Sequence, residues 1–179
     1  MCVEIEAKLK VDSLAEVERK LAELGADFKA EQLQTDILFD DANTTLTTTD
    51  QCLRLRRQLV ADSERFFLTY KGAKEKSDFK KRQEIEIEII DAESTQKLLS
   101  ALGYEKALVV EKKRRLWQLG RCAIALDQLP LLGDFVEIEG PNNEEIADVQ
   151  QWLGLAELPH IEKSYAQLTK EVQDKRIRL

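Results

Sequence analysis

Glu4-Ile5-Glu6-Ala7-Lys8 spaces two carboxylates and an ammonium two residues apart, with apolar residues between them. Successive side chains of an extended strand point to opposite faces, so Glu4, Glu6 and Lys8 share one face and Val3, Ile5, Ala7 and Leu9 the other. The same alternation groups Arg54 with Arg56, Lys112 with Arg114, Glu137 with Glu139, and Glu84 with Glu86 and Glu88. For any one of these strands, a wetted polar face is the ordinary reading of an antiparallel sheet. The set reads differently, because acidic groups fall on some strands and cationic groups on others. Like charges side by side repel, and a merely solvated face would mix the signs. Carboxylates without His or Cys beside them are hard ligands suited to Mg²⁺ or Mn²⁺. Arginine forks and lysine ammoniums make charge-assisted hydrogen bonds to phosphate oxygens. An acidic wall facing a basic one fits a polyanion held with divalent cations. The chain has no GxxxxGKS or GxxxxGKT loop and no GxGxxG, so phosphate recognition here rests on side chains.

Eight period-two segments carry these faces: 3–11, 36–39, 52–60, 65–71, 83–90, 109–119, 122–126 and 135–139. Eight is a count that suits an antiparallel barrel, and Leu119-Gly120-Arg121 reads as a tight turn between two of the strands. Helices interrupt the strands. Ser13 to Glu16 offers a capping box ahead of a Leu14, Val17, Leu21, Leu24 stripe that Gly25 ends. Residues 93–102, with Leu98, Leu99 and Leu102, stop at Gly103. Residues 144–153, with Ile146, Val149 and Leu153, stop at Gly154. A last helix is expected from Ser164 toward Lys175. A strand reading E-I-E followed by a capped helix thus occurs three times, a weak internal repeat. Helices need an apolar surface to cover. If they pack outside a closed barrel on the apolar strand faces, the charged faces point inward.

The composition excludes several classes. At 179 residues, with 43% apolar residues and no Pro/Gly/Ser linker, the chain reads as one domain over 1–172 with a fraying tail at 173–179. A net charge of −7 argues against a general nucleic-acid or membrane-surface binder. No apolar run approaches the ~18 residues of a membrane span, and no signal-peptide pattern opens the chain. Cys2, Cys52 and Cys122 lack CxxC spacing and fit reduced thiols in a cytoplasmic protein. A single histidine, His160, leaves little for a His-based triad or a multi-histidine metal centre.

With these residues in order, the chain resembles the CYTH superfamily, the triphosphate tunnel metalloenzymes. Glu4 to Lys8 matches the family's ExExK signature. Leu53-Arg54-Leu55-Arg56 resembles its first basic strand and Thr69-Tyr70-Lys71-Gly72 its lysine strand. Arg82-Gln83-Glu84-Ile85-Glu86 resembles the R-x-E-x-E strand and Glu111-Lys112-Lys113-Arg114 the K-x-R strand. Ala125-Leu126-Asp127, followed by Leu132 to Glu139, is similar to the acidic C-terminal half, and Lys163 to Leu168 to the closing SY-x-x-L helix. The wording is nearest to the class IV adenylyl cyclases, particularly the E-K-x-R strand and LGDFVEIE.

The resemblance implies an α+β fold, a closed eight-stranded antiparallel β-barrel with helices packed outside. By the same resemblance, Glu4, Glu6, Glu137 and Glu139 hold one or two Mg²⁺ or Mn²⁺ ions, with Asp127 a direct or water-mediated ligand. Lys8, Arg54, Arg56, Lys71, Arg82, Lys112 and Arg114 grip the triphosphate. Glu84 and Glu86 are either tunnel wall or a solvated edge face, whereas Lys80, Lys81 and Lys113 are expected on the surface. Tyr70 and Trp117 are expected to be packing residues. The implied activity is conversion of ATP to cyclic AMP and pyrophosphate by a cyclase. The alternative is a hydrolase of inorganic or thiamine triphosphate, in which Lys8 orients or deprotonates the attacking water. A second alternative is a non-catalytic nucleotide- or polyphosphate-binding barrel. The family's cyclases also imply a homodimer.

Overall fold

The computed structural model describes residues 2–75 and 80–177, with the side chains of 2–4, 80 and 177 outside that description. The strands are β1 (Cys2–Val11), β2 (Asp27–Asp40), β3 (Cys52–Val60), β4 (Ser63–Lys71), β5 (Lys80–Ile89), β6 (Glu105–Leu119), β7 (Cys122–Leu129) and β8 (Gly133–Glu139). The helices are α1 (Leu14–Glu23), α2 (Thr45–Thr48), α3 (Ala92–Ala101), α4 (Asn143–Trp152) and α5 (Tyr165–Ile177). Every strand pairs antiparallel with two neighbours, in the order β1-β5-β4-β3-β2-β6-β7-β8, and β8 returns to β1. The hydrogen-bonded ring is therefore closed, which removes the free edges on which chains aggregate.

The eight expected strands are all present, and several extend further than alternation alone marked. β2 begins at Asp27 instead of Asp36, and β6 at Glu105 instead of Val109. These two make the longest ladder in the ring, with register shifts at Phe28/Ala30 and Leu38/Phe39. The Gly120 turn is as expected: Leu119 pairs with Cys122 across it, and Gly120 has a positive φ of 57°. The short helix α2 was not expected. The carboxylate of Asp40 holds its first turn, accepting from the backbone N–H groups of Leu46 and Thr47 and from the Thr47 hydroxyl. α5 continues to Ile177, into the segment assigned from sequence to a frayed tail.

The three strand–helix units close alike. Ser13, Asp91 and Asn142 each accept a backbone N–H three residues on. Gly25, Gly103 and Gly154 each take a positive φ just past the helix, while the next residue donates back to the carbonyl five residues earlier. Their burial differs. α1 and α4 lay Leu14, Val17, Leu21, Ile146, Val149 and Leu153 over Ala7, Leu9, Ile124, Leu126, Val136 and Ile138, the outward residues of β1, β7 and β8. Gly140 lets the chain turn there from β8 to α4, since a Cβ would stand 2.9 Å from both Cys122 Sγ and Ile146 Cγ1.

On the other side α3 buries only Leu99 of its expected stripe, against Phe39 and Leu55, and leaves Leu98 and Leu102 exposed. The outward residues Ile85 and Ile87 of β5 stay 48% and 54% exposed, so helices cover the outer apolar face on one side of the ring and only in part on the other. Among the described residues no helix is long and apolar enough to cross a membrane.

Candidate active site

Alternation sends the charged face of each strand to the inside of the ring. A cavity of about 1010 Å³ occupies this interior, lined by nine Lys or Arg and eight Asp or Glu side chains in a chain whose net charge is −7. Cations and carboxylates nearly balance in the lining, whereas the acidic excess lies on the rest of the molecule.

The inward residues of β3 and β6 are Arg54, Arg56, Lys112 and Arg114, and each is met by a carboxylate. Arg56 donates from Nε and Nη2 to the two oxygens of Asp36 on β2, at 2.6 and 2.7 Å. Arg54 lies 3.7 Å from Asp36, 3.3 Å from Glu86 and 3.9 Å from Glu84, and also donates to Thr69 Oγ1 at 3.0 Å. Arg114 donates to both oxygens of Asp127 on β7, at 2.7 and 2.5 Å, and pairs with Glu137. Lys112 Nζ reaches Asp127 Oδ2 at 3.1 Å. Two paired arginines and a lysine thus rest on two buried aspartates.

Burial alone would raise the Asp36 carboxyl, but the Arg56 and Arg54 guanidiniums outweigh it and hold it well below the usual carboxylate range. Asp127 is settled the same way: burial opposes ionisation, and Arg114 and Lys112 prevail. The ammonium of Lys112 is pushed down to about 8, first by burial and then by Arg114, with Asp127 and Glu137 pulling the other way.

Around the rest of the ring, Lys71 Nζ of β4 stands 2.8 Å from Glu84 of β5. Arg82 donates to the Asp50 carbonyl at 2.9 Å and lies 3.5 Å from its carboxylate, in the turn that follows α2. Glu84 and Glu86 both border the cavity, Glu84 half-buried and Glu86 at its exposed side. Glu88, further along β5, is exposed and pairs with Arg65. Lys113 faces outward to Glu31, and Lys81 pairs with Glu75, as expected of surface charge. The Lys80 side chain lies outside the described residues. Trp117 packs in the core edge-on to Phe28, Tyr70 donates to Gln51, and His160 sits beside Gln150.

β1 and β8 present a different pattern. In their register Lys8 lies opposite Glu137, and its Nζ is 3.2 Å from Glu137 Oε1. One pair further, Glu6 lies directly opposite Glu139. Like charges directly opposite on one sheet face destabilise it, and Glu6 is buried. A hard divalent cation between them would turn the repulsion into coordination. The residues beside Glu137 and Glu139 on β7 are Ala125 and Ala123, whose methyl groups leave space for an ion and its waters. The donor set therefore fits a hard divalent cation. Glu4 precedes Glu6 on the same face of the strand, but its side chain lies outside the described residues. Among the described residues, no three His, Cys, Asp or Glu side chains converge into a ready-made metal cluster. Asp127, expected beside the metal, has both oxygens engaged by Arg114 and Lys112 and belongs to the cationic cluster.

Two interior residues escaped the sequence reading. Asp36 was placed at the start of a strand and given no role, although Gln32, Gln34 and Asp36 alternate with Leu33, Thr35 and Ile37 as a polar inner face should. Tyr165 was read only as part of a closing helix motif. Its ring is buried among cationic side chains, and no strand periodicity could have marked it because it sits on α5.

The architecture and the sequence agree with those of known proteins. "Putative adenylate cyclase MJ0240" of Methanocaldococcus jannaschii is 30% identical over 93% of this chain and 98% of its own length. The solved structure of the PH1819 protein of Pyrococcus horikoshii superposes with a TM-score of 0.83 at 29% identity, covering 94% of this chain and 98% of that one. The HpAC1 protein of Hippeastrum, described as revealing a dominant triphosphatase activity, superposes at 0.67 with 18% identity over 93% of each chain, a likeness of fold. The CYTH domain model matches residues 3–165, nearly the whole length, and on that match together with the M. jannaschii relative this chain belongs to the CYTH family.

Proposed function

We propose that this chain is a metal-dependent enzyme that binds the triphosphate of a nucleotide inside the ring and converts ATP to cyclic AMP and pyrophosphate. The observation that carries the binding part is the interior itself: cations on β3, β4 and β6 face opposed carboxylates on β1 and β8 across one cavity. The cyclase part draws support from the name of the M. jannaschii relative.

In this reading Glu4, Glu6, Glu137 and Glu139 would hold Mg²⁺ or Mn²⁺, which supplies Lewis acidity at the phosphoryl group when bound. The chain's own residues do the rest. Arg56, Lys112 and Arg114 bind phosphate oxygens and stabilise the charge that develops on the leaving pyrophosphate. Lys8, Arg54, Lys71 and Arg82 fix the position of the polyphosphate along the cavity. Asp36 and Asp127 orient the guanidiniums and the Lys112 ammonium before the ligand arrives, so little reorganisation is needed on binding.

The specific observation that favours a second reading is the triphosphatase activity described for the Hippeastrum protein. The same walls would then direct water at a terminal phosphorus, with Lys8 orienting it. Product analysis decides. Purified protein with Mg²⁺ or Mn²⁺ is given ATP and inorganic tripolyphosphate in parallel. Cyclic AMP with pyrophosphate from ATP supports the cyclase. Orthophosphate from tripolyphosphate, with ATP almost untouched, makes it a hydrolase. Arg56→Ala should abolish whichever activity is seen. Wild-type turnover in that variant would remove the cavity from the chemistry.

A further inference from the structure

Tyr165 opens α5 and projects between two strands that do not pair with each other. Lys8 Nζ of β1 stands 4.3 Å from its ring centroid and Lys112 Nζ of β6 stands 4.8 Å from it. Going round the ring, β7 and β8 lie between those strands, so the phenol links side chains that no strand pairing brings together. The electron-rich faces of an aromatic ring attract ammonium groups, and here one ring serves two lysines whose charges would otherwise repel. Phe135 braces it edge-on, with centroids 5.2 Å apart and planes at 77°.

The backbone fixes this placement. Ser164 Oγ accepts from the Gln167 N–H at 3.2 Å while Gln167 Oε1 accepts from the Ser164 N–H at 2.8 Å, a reciprocal cap on the first turn of α5. Just upstream, the Lys163 carbonyl accepts from Lys8 Nζ at 3.2 Å and the Ile161 N–H donates to the Lys8 carbonyl at 2.8 Å.

The hydroxyl is the unexplained atom. It is buried and finds no partner at good hydrogen-bond geometry among the described residues. Its near neighbour Asp127 already engages both oxygens with Arg114 and Lys112, and burial with the Glu137 and Asp127 charges keeps the phenol protonated, a donor. A buried hydroxyl without a partner costs stability, and a phenylalanine would pack the same ring without that cost. The group faces the cavity that Lys8 and Lys112 also line.

We propose that Tyr165 is a ligand-positioning residue: its hydroxyl donates to a phosphate oxygen of the bound triphosphate, while its ring holds the Lys8 and Lys112 ammoniums around the same group. The proposal rests on the triphosphate reading above and adds a helix-borne donor to a site otherwise built from strands.

Tyr165→Phe and Tyr165→Leu test it, with two readouts: calorimetric titration with inorganic tripolyphosphate plus Mg²⁺, and thermal melting without ligand. Tyr165→Phe should melt at or above the wild-type temperature and bind tripolyphosphate about tenfold more weakly. Tyr165→Leu, which also removes the ring, should bind more weakly still. A structural tyrosine would instead lose stability as phenylalanine and keep its affinity. A phenylalanine variant that binds as the wild type does, or that loses affinity only in step with a lowered melting point, overturns the proposal and leaves the triphosphate reading standing. Folded wild type that does not bind tripolyphosphate overturns both. Should the leucine variant fail to fold, the phenylalanine variant alone decides.

Discussion

On β3 and β6 the inward cations Arg54, Arg56, Lys112 and Arg114 each meet a carboxylate from a neighbouring strand, whereas on β1 and β8 Glu6 and Glu139 stand directly opposite each other. The basic wall is neutralised within the protein. Its side chains are held in place before any ligand arrives, and a polyanion entering there displaces some pairings and reuses the rest. The Glu6–Glu139 end of the acidic wall gathers like charge that a metal ion would relieve. The basic wall therefore contributes to the stability of the ligand-free fold, whereas the acidic wall brings together the carboxylates on which the metal reading rests. Glu137 joins the two, paired with Lys8 on one side and Arg114 on the other.

That contrast is open to test, and the largest effect is expected at Asp127, which is fully buried. Asp127→Ala leaves Lys112 and Arg114 without their shared partner, and breaking a buried pair in this way costs about 3–5 kcal/mol. Urea denaturation measures it, and a midpoint like that of the wild type would contradict the idea that the basic wall is self-supporting.

Asp36→Asn keeps the shape of the Arg56 contact but removes its charge. A loss of about 2 kcal/mol is expected, the scale of a hydrogen bond between charged groups, again read from the denaturation midpoint.

Acid should reveal the same carboxylate without mutation. The folded pKa of Asp36 lies below its unfolded value, so the protein contributes this stability fully above about pH 4 and loses it as pH falls through the folded pKa. Denaturation midpoints taken from pH 7 downward should fall below about pH 4 in the wild type, and less steeply in Asp36→Asn. Parallel curves would assign the acid sensitivity to other groups.

The smallest shift is expected on the opposite wall and has the opposite sign. Glu139→Gln relieves the cross-strand repulsion with Glu6, so the ligand-free protein should gain up to about 1 kcal/mol. It should also lose most of any melting-point rise that Mn²⁺ gives the wild type. A destabilised variant that still responds fully to Mn²⁺ would show that the acidic wall is an ordinary structural surface.

Much of this was legible in the residues. Period-two alternation is a local property of an extended chain, so Arg54 with Arg56, Lys112 with Arg114 and Glu137 with Glu139 could be placed on shared faces without knowing which strands are neighbours. Helix starts and stops were equally local, set by Ser13, Asp91 and Asn142 at one end and by Gly25, Gly103 and Gly154 at the other. The α3 stripe shows the limit. Leu98, Leu99 and Leu102 look alike in the chain, yet only Leu99 reaches Phe39 and Leu55, because where a helix rests on the ring is set by contacts that its own periodicity does not encode.

By itself, then, the sequence determined the secondary structure, the sorting of charge onto strand faces and the chemistry those charges favour. The ring order was decided by tertiary structure alone, and with it the partners. Asp36 becomes the counter-ion of Arg56 because β2 lies between β3 and β6. Asp127 serves Arg114 because β7 follows β6, and Glu6 confronts Glu139 because β8 closes onto β1. Tyr165 enters the site from a helix some 155 residues beyond Lys8, as the Lys163 carbonyl at its start does. Which side chain faces which depends on contacts between distant strands, and the alternation within one strand carries no information about the identity of the next.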